Sequence, residues 1–92
     1  MTQYTRYQLE KIANITKAEE ILNDFRELKV LGQNVKLDAS QVERIDTSVL
    51  QLIVSLKKSL KEQELELEIE NANQVVTNAA CICGLNKVLS IN

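Results

Sequence analysis

Histidine and proline are absent from the 92 residues, and glycine, cysteine and aromatic residues are few. Without histidine the commonest general base is missing, and so is a common zinc ligand. The two cysteines, Cys81 and Cys83, are two residues apart, a poor geometry for a mutual disulfide. With no second cysteine pair they do not suggest a zinc site, so they read as small apolar residues of a helix, at least one of them buried. The two glycines, Gly32 and Gly84, lie far apart, which excludes a glycine-rich phosphate loop. With no proline, low-complexity segment or internal repeat, nothing marks a linker, and one domain over residues 1–92 is expected. Tyr4, Tyr7 and Phe25 are the whole aromatic complement, so the core must be mostly aliphatic. A net charge of −2 leaves no broad basic face for nucleic acid. No apolar run is long enough to span a bilayer. The opening Met1-Thr-Gln-Tyr-Thr-Arg lacks the layout of a secretion signal, and a cytoplasmic protein without membrane insertion is expected.

What is present is 45% hydrophobic residues, enough for a small globular domain with a thin stability margin. Tyr4 to Ile12 alternates loosely and suits an exposed edge strand, which could pair with a second copy in a homodimer. Thr16 to Leu31 is a helix, opened by a capping box of Thr16 and Glu19. Its apolar stripe is Ala18, Ile21, Leu22, Phe25 and Leu28. Gly32 supplies a left-handed stop. Val35 and Leu37 form a short strand ending at Asp38, and Val42 and Ile45 anchor the following loop. A second helix runs from about Thr47 to Gln63, apolar almost all round in its first half. Glu64-Leu-Glu-Leu-Glu-Ile-Glu70 is a strict alternation, a strand with one wet face, so helices should cover the sheet on one side only. The four carboxylates of that strand do not converge on a metal. Asn73 caps a third helix to about Cys83, with Val76, Ala79, Ala80 and Cys83 inward. Lys87 to Ile91 could add a last short strand. Alternating strands and helices imply parallel strands with helical crossovers, binding where strands end and helices begin.

The Asp38 to Ser48 stretch is such a place. Asp46, Thr47 and Ser48 open the second helix, where free N–H groups and the helix dipole favour an anion. Spacing alone favours Asp46, Thr47 and Ser48 as capping residues. The other reading is a phosphate on Thr47. It would add about −1.5 to −2 charges beside Asp38, Glu43 and Asp46 and repel a docked partner helix. Ser48 or Thr47 as a catalytic nucleophile would need a base at hand, and no catalytic residues or cofactor are expected.

Val35-Lys-Leu-Asp-Ala-Ser-Gln-Val-Glu-Arg-Ile-Asp-Thr-Ser-Val-Leu50 resembles the STAS family, named for sulfate transporters and anti-sigma factor antagonists. The tail Ala79-Ala-Cys-Ile-Cys-Gly-Leu85 is similar to the last helix of that family. The resemblance runs from Tyr7 onward. It implies a two-layer α/β fold, a mixed sheet of about four strands with helices on one face. It also implies a regulatory, non-catalytic protein-binding role. In anti-sigma factor antagonists a serine after the helix-opening Asp is phosphorylated by a partner kinase; the matching position is Thr47, with Ser48 the second choice. The partner surface then maps to Asp38, Ser40, Gln41, Asp46, Thr47 and Ser48. Its partner would be an anti-sigma factor and serine kinase, or a protein of a chemotaxis-like signalling system. The phosphate-accepting members carry Asp-Ser-Ser-Gly where this chain has Asp46-Thr-Ser-Val49. The Arg-Ile-Asp-Thr wording is also similar to the STAS subunit of the lipid-asymmetry ABC transporter, which contacts the transporter ATPase.

Overall fold

The computed structural model describes residues 4–91. Residues 1–3 of the opening read above, and residue 92, lie outside the described residues. The order is β1 (Tyr4–Gln8), β2 (Ile12–Ala13), a 3-10 turn (Ile15–Lys17), α1 (Ala18–Leu31), β3 (Asn34–Asp38), β4 (Arg44–Ile45), α2 (Thr47–Glu62), β5 (Leu67–Glu70) and α3 (Gln74–Ile82). The strands divide into a three-stranded sheet, β1-β3-β5, and a two-stranded ribbon, β2-β4. Every pairing among the described strands is parallel, with Tyr7 opposite Leu37 and Leu37 opposite Ile69. Parallel neighbours need a crossover, and α1 and α2 supply it.

The sheet has one apolar face. Val35 and Leu37 are 0% exposed, while Lys36 between them is half-buried and Glu68 beside it is exposed. The period of two therefore sorts the side chains as the alternation of residues 64–70 requires. Over the apolar face lie Ile21, Phe25 and Leu28 of α1 and Leu50, Ile53, Leu56 and Leu60 of α2. Each such side chain contributes about 1.5–3 kcal/mol when fully removed from water. Tyr7 meets Phe25 edge to face, ring centroids 5.4 Å apart, and so ties β1 to α1. The two-layer α/β class with helices on one face agrees with the sequence reading; where the family resemblance implied a mixed sheet of about four strands, the described strands form a three-stranded parallel sheet and a separate two-stranded parallel ribbon, because β2 leaves β1 to pair with β4.

Four local expectations give way. The strand expected over Tyr4–Ile12 breaks after Gln8: Leu9 turns into the core, and Ile12–Ala13 leave to pair with Arg44–Ile45. The loop anchor Ile45 is thus a strand residue. Thr16 does not open a capping box. Asn14 Oδ1 accepts from the Thr16 N–H at 3.1 Å, a 3-10 turn forms, and α1 begins at Ala18 with no side-chain cap. The alternation from Glu64 becomes strand only at Leu67. Glu64 holds φ +61° as the helix stop, and the Leu65 N–H closes onto the Leu60 carbonyl. Lys87–Ile91 is not a strand. The N–H groups of Leu89 and Ile91 turn back to the carbonyls of Leu85 and Asn86, which buries both side chains without a ladder.

Candidate functional site

The corner is built at the C-terminal end of β3. Asp38 is held at both ends: its carbonyl accepts from the Leu9 N–H at 3.0 Å, and its Oδ1 accepts from the Ser40 N–H at 2.8 Å. That second bond is the Asx turn that a short acid favours. Asp38 is held below the usual carboxylate range by the Ser40 N–H first, then the Ser40 hydroxyl, the Asn71 side chain and Arg6. Ala39 is buried, with its N–H on the Glu70 carbonyl at 3.0 Å. The turn consequently pushes Ser40 and Gln41 out to solvent.

Val42 brings the chain back. Its side chain is buried, and its carbonyl accepts from Asn73 Nδ2 at 2.6 Å. Asn73 Oδ1 meanwhile accepts from the Val76 N–H at 3.1 Å. One amide side chain thus caps α3 and pins the loop. The Glu43 and Arg44 N–H groups share the Lys11 carbonyl, at 2.7 and 3.0 Å, and lead into β4.

Asp46 is the N-cap of α2 in backbone terms: it is extended at φ −102° and ψ 160°, and its carbonyl receives Val49 and Leu50. Its side chain makes no cap bond. Oδ2 instead accepts from the Ile15 N–H at 2.9 Å, fastening the segment before α1 to the start of α2. The anchoring acid is therefore a long-range clasp, and the helix opens without a side-chain acceptor of its own.

Thr47 is exposed, with its Oγ1 3.3 Å from Cys83 Sγ. Ser48 goes the other way. Its Oγ is buried with no hydrogen-bond partner among the described residues, and the residue borders a groove with Leu22, Arg26 and Leu52. The family resemblance put both Thr47 and Ser48 on the partner surface; only the Thr47 hydroxyl is outward, because one helical step of about 100° carries the second side chain toward α1. Val49 is buried. Its side chain is therefore no part of the exposed surface around Thr47.

Asp38, Ser40, Gln41, Asp46 and Thr47 share one end of the fold, and Ser48 faces the interhelical groove. Sequence reasoning missed the Asn73 bond to Val42, the Asp46 bond to Ile15 and the approach of Cys83 to Thr47. Asn73 was legible as a cap; its second, donor half carried no separate signal. Two apolar side chains also border the corner: Ile15, 66% exposed and tied by its N–H to Asp46, and Ile82, 86% exposed and next to Cys83. Among the described residues no three cysteines or carboxylates gather as a metal site, and no helix is long and apolar enough to cross a membrane.

A family model described as "Mlab, STAS domain" matches residues 13–90, from Ala13 through the closing turns and including Asp38 to Ser48. None of the curated proteins matches the sequence. The NMR structure of the protein TM1081 superposes with a TM-score of 0.80 at 24% identity, covering 97% of this chain and 73% of that one. That likeness speaks for the fold alone. The matched model spans most of the chain, Asp38 to Ser48 included, and on that ground the chain belongs to the STAS domain family.

Proposed function

We propose that this protein is a cytoplasmic regulatory module that docks a signalling partner, of the anti-sigma factor and kinase type, through Asp38, Ser40, Gln41, Asp46 and Thr47. STAS domains are in general non-catalytic modules that work through protein contacts, and the corner fits that role. One observation carries the reading. Thr47 stands exposed at the positive end of a 16-residue helix whose N-cap carboxylate is engaged elsewhere, with Ile15. A phosphate on Thr47 would meet uncapped helix N–H groups, so the fold tolerates it. It would add about −1.5 to −2 charges to a surface that already holds Asp38, Glu43 and Asp46. Docking would then be lost by repulsion and bulk. Ser48, with its Oγ buried, is the weaker acceptor.

The test is incubation with the cognate kinase and ATP, followed by mass spectrometry and by partner titration. Phosphate on Thr47 with loss of binding is expected, and Thr47→Glu should reproduce that loss. A phosphate mapped to another residue, or unchanged affinity of Thr47→Glu, counts against it.

A second reading is a non-catalytic subunit that binds the ATPase of a lipid-asymmetry-type ABC transporter. The exposed Ile15 and Ile82 beside the corner support it, since apolar contacts suit a permanent complex. Copurification with a membrane complex, with no phosphate on Thr47, would select it.

A further inference from the structure

The β5 strand has a neighbour on one side only among the described residues, in the order β1-β3-β5. The Glu66 and Glu70 carbonyls accept from Val35 and Ala39 N–H groups, so these residues turn their backbone toward β3. Backbone groups alternate along a strand, and Leu67 and Ile69 therefore aim their N–H and C=O at the open side. A groove of about 700 Å³ runs there, lined by residues 64–69 in unbroken succession, by Lys57 and Lys61 of α2, and by Leu89. Consecutive strand residues point to opposite faces. Leu67, Glu68 and Ile69 of β5 all line this cavity, as both faces of a strand do only along a free edge, so the groove follows the edge of β5.

Its charges are sorted. Leu65, Leu67 and Leu89 give the groove an apolar floor, and Glu66 and Glu68 stand exposed on the outer face. Neither glutamate has an ion pair among the described residues. The register partner of Glu68 is Lys36, but the Lys36 ammonium lies 4.4 Å from the centre of the Tyr4 ring. Arg6 pairs with Glu70 at 3.6 Å instead. The cations of the sheet are thus committed elsewhere. Of the two lysines on the α2 wall, Lys57 donates to the Val88 carbonyl at 2.7 Å, which leaves Lys61 against the three glutamates of the lining, Glu64, Glu66 and Glu68.

We propose that β5 accepts an added strand: an extended segment of a partner protein in which basic residues alternate with apolar ones. The edge N–H and C=O groups would supply the ladder, the apolar side chains would cover the leucine floor, and the basic ones would lie beside Glu66 and Glu68. Alternate residues of an extended partner repeat every ~6.8 Å, so one basic residue would lie beside Glu68 of β5 and the next toward Glu66, just before the strand. A second copy offering its own β5 would set these glutamates against each other, a destabilising cross-strand pairing. Glutamates on an edge also deter aggregation, and the same repulsion admits a basic strand while refusing an acidic one. The proposal does not rest on the role of Thr47.

The experiment is a titration of the isotope-labelled chain with two blocked heptapeptides, Lys-Val-Lys-Val-Lys-Val-Lys and Glu-Val-Glu-Val-Glu-Val-Glu, followed by amide NMR shifts. The lysine peptide is expected to move the Leu67 and Ile69 amides, and the glutamate peptide to leave them in place. A Glu66→Lys, Glu68→Lys variant should bind the lysine peptide roughly tenfold more weakly and gain affinity for the glutamate peptide. Equal response to both peptides overturns the proposal. So do shifts that bypass Leu67 and Ile69, or movement of those amides with protein concentration alone, which would mean that a second copy fills the edge.

Discussion

Thr47 Oγ1 lies 3.3 Å from Cys83 Sγ, joining the first residue of α2 to the residue that ends α3 across 36 positions. The contact makes Cys83 the floor on which the proposed acceptor hydroxyl rests. Cys81 is exposed and Cys83 only half so. Access governs thiol modification, so iodoacetamide on the native protein should label Cys81 first and Cys83 later, as read by peptide mass spectrometry. A carbamidomethyl group on Cys83 puts bulk against Thr47, and the doubly labelled protein should bind its partner more weakly than the Cys81-labelled one. Equal labelling rates would mean that Cys83 is more open than the contact implies.

Asp46 is the next lever. Because its Oδ2 holds the Ile15 N–H and not a helix amide, Asp46→Ala should loosen the segment before α1 as well as the start of α2. A charge-assisted bond at an exposed site sets the loss at about 1 kcal/mol, measured by urea unfolding. Asp46→Asn keeps an acceptor and should recover most of it. If Asn and Ala cost the same, the bond to Ile15 contributes nothing.

How much of this was legible follows from the range of each interaction. The start of α2 was legible, because an Asp-Thr-Ser triplet before an apolar run is a local signal. Gly32 adopts φ +67°, the left-handed stop read from glycine alone, and Gly84 does the same after α3 at φ +71°. The Glu–Leu alternation correctly announced a one-sided sheet. The failures have two sources. Where two local solutions compete, the pattern cannot rank them: Asn14 won the cap over Thr16, and Glu64 took a left-handed turn inside an alternating run. Leu89 and Ile91 are buried at a spacing of two, as in a strand, yet turn bonds put them there. The other source is distance. The bonds from Asp46 to Ile15, Asn73 to Val42 and Thr47 to Cys83 span 31 to 36 positions, and no periodicity encodes them.

Asn73 uses both ends of its amide, Oδ1 on the Val76 N–H and Nδ2 on the Val42 carbonyl. Asn73→Asp keeps the cap acceptor and loses the donor, so α3 should survive while the loop after Asp38 loosens. Hydrogen exchange should then rise at the Ser40 amide with little change at Val76. Asn73→Ala loses both bonds and should cost about 2 kcal/mol. Protection at Ser40 that is unaffected in Asn73→Asp would show that the loop holds itself.

Tyr7 supplies the alkaline prediction. Burial comes first and the hydrogen bond to Asp24 second in pushing its phenol well above the ordinary value: the hydroxyl donates to Asp24 Oδ2 at 2.8 Å, and Asp24, Glu10 and Glu20 add negative charge. The folded state thus prefers the neutral phenol. Its stabilising contribution is complete below the unfolded value near pH 10 and is lost as pH rises above that toward the folded value. In Tyr4→Phe, Tyr7 is the sole phenol. Its phenolate absorbance should stay low through the range in which a free tyrosine titrates, then rise together with loss of helical circular dichroism. Asp24→Asn removes the acceptor charge and should bring the titration down in pH. A Tyr7 phenol that ionises near the free value in a still-folded chain would contradict both the bond and the packing of β1 against α1.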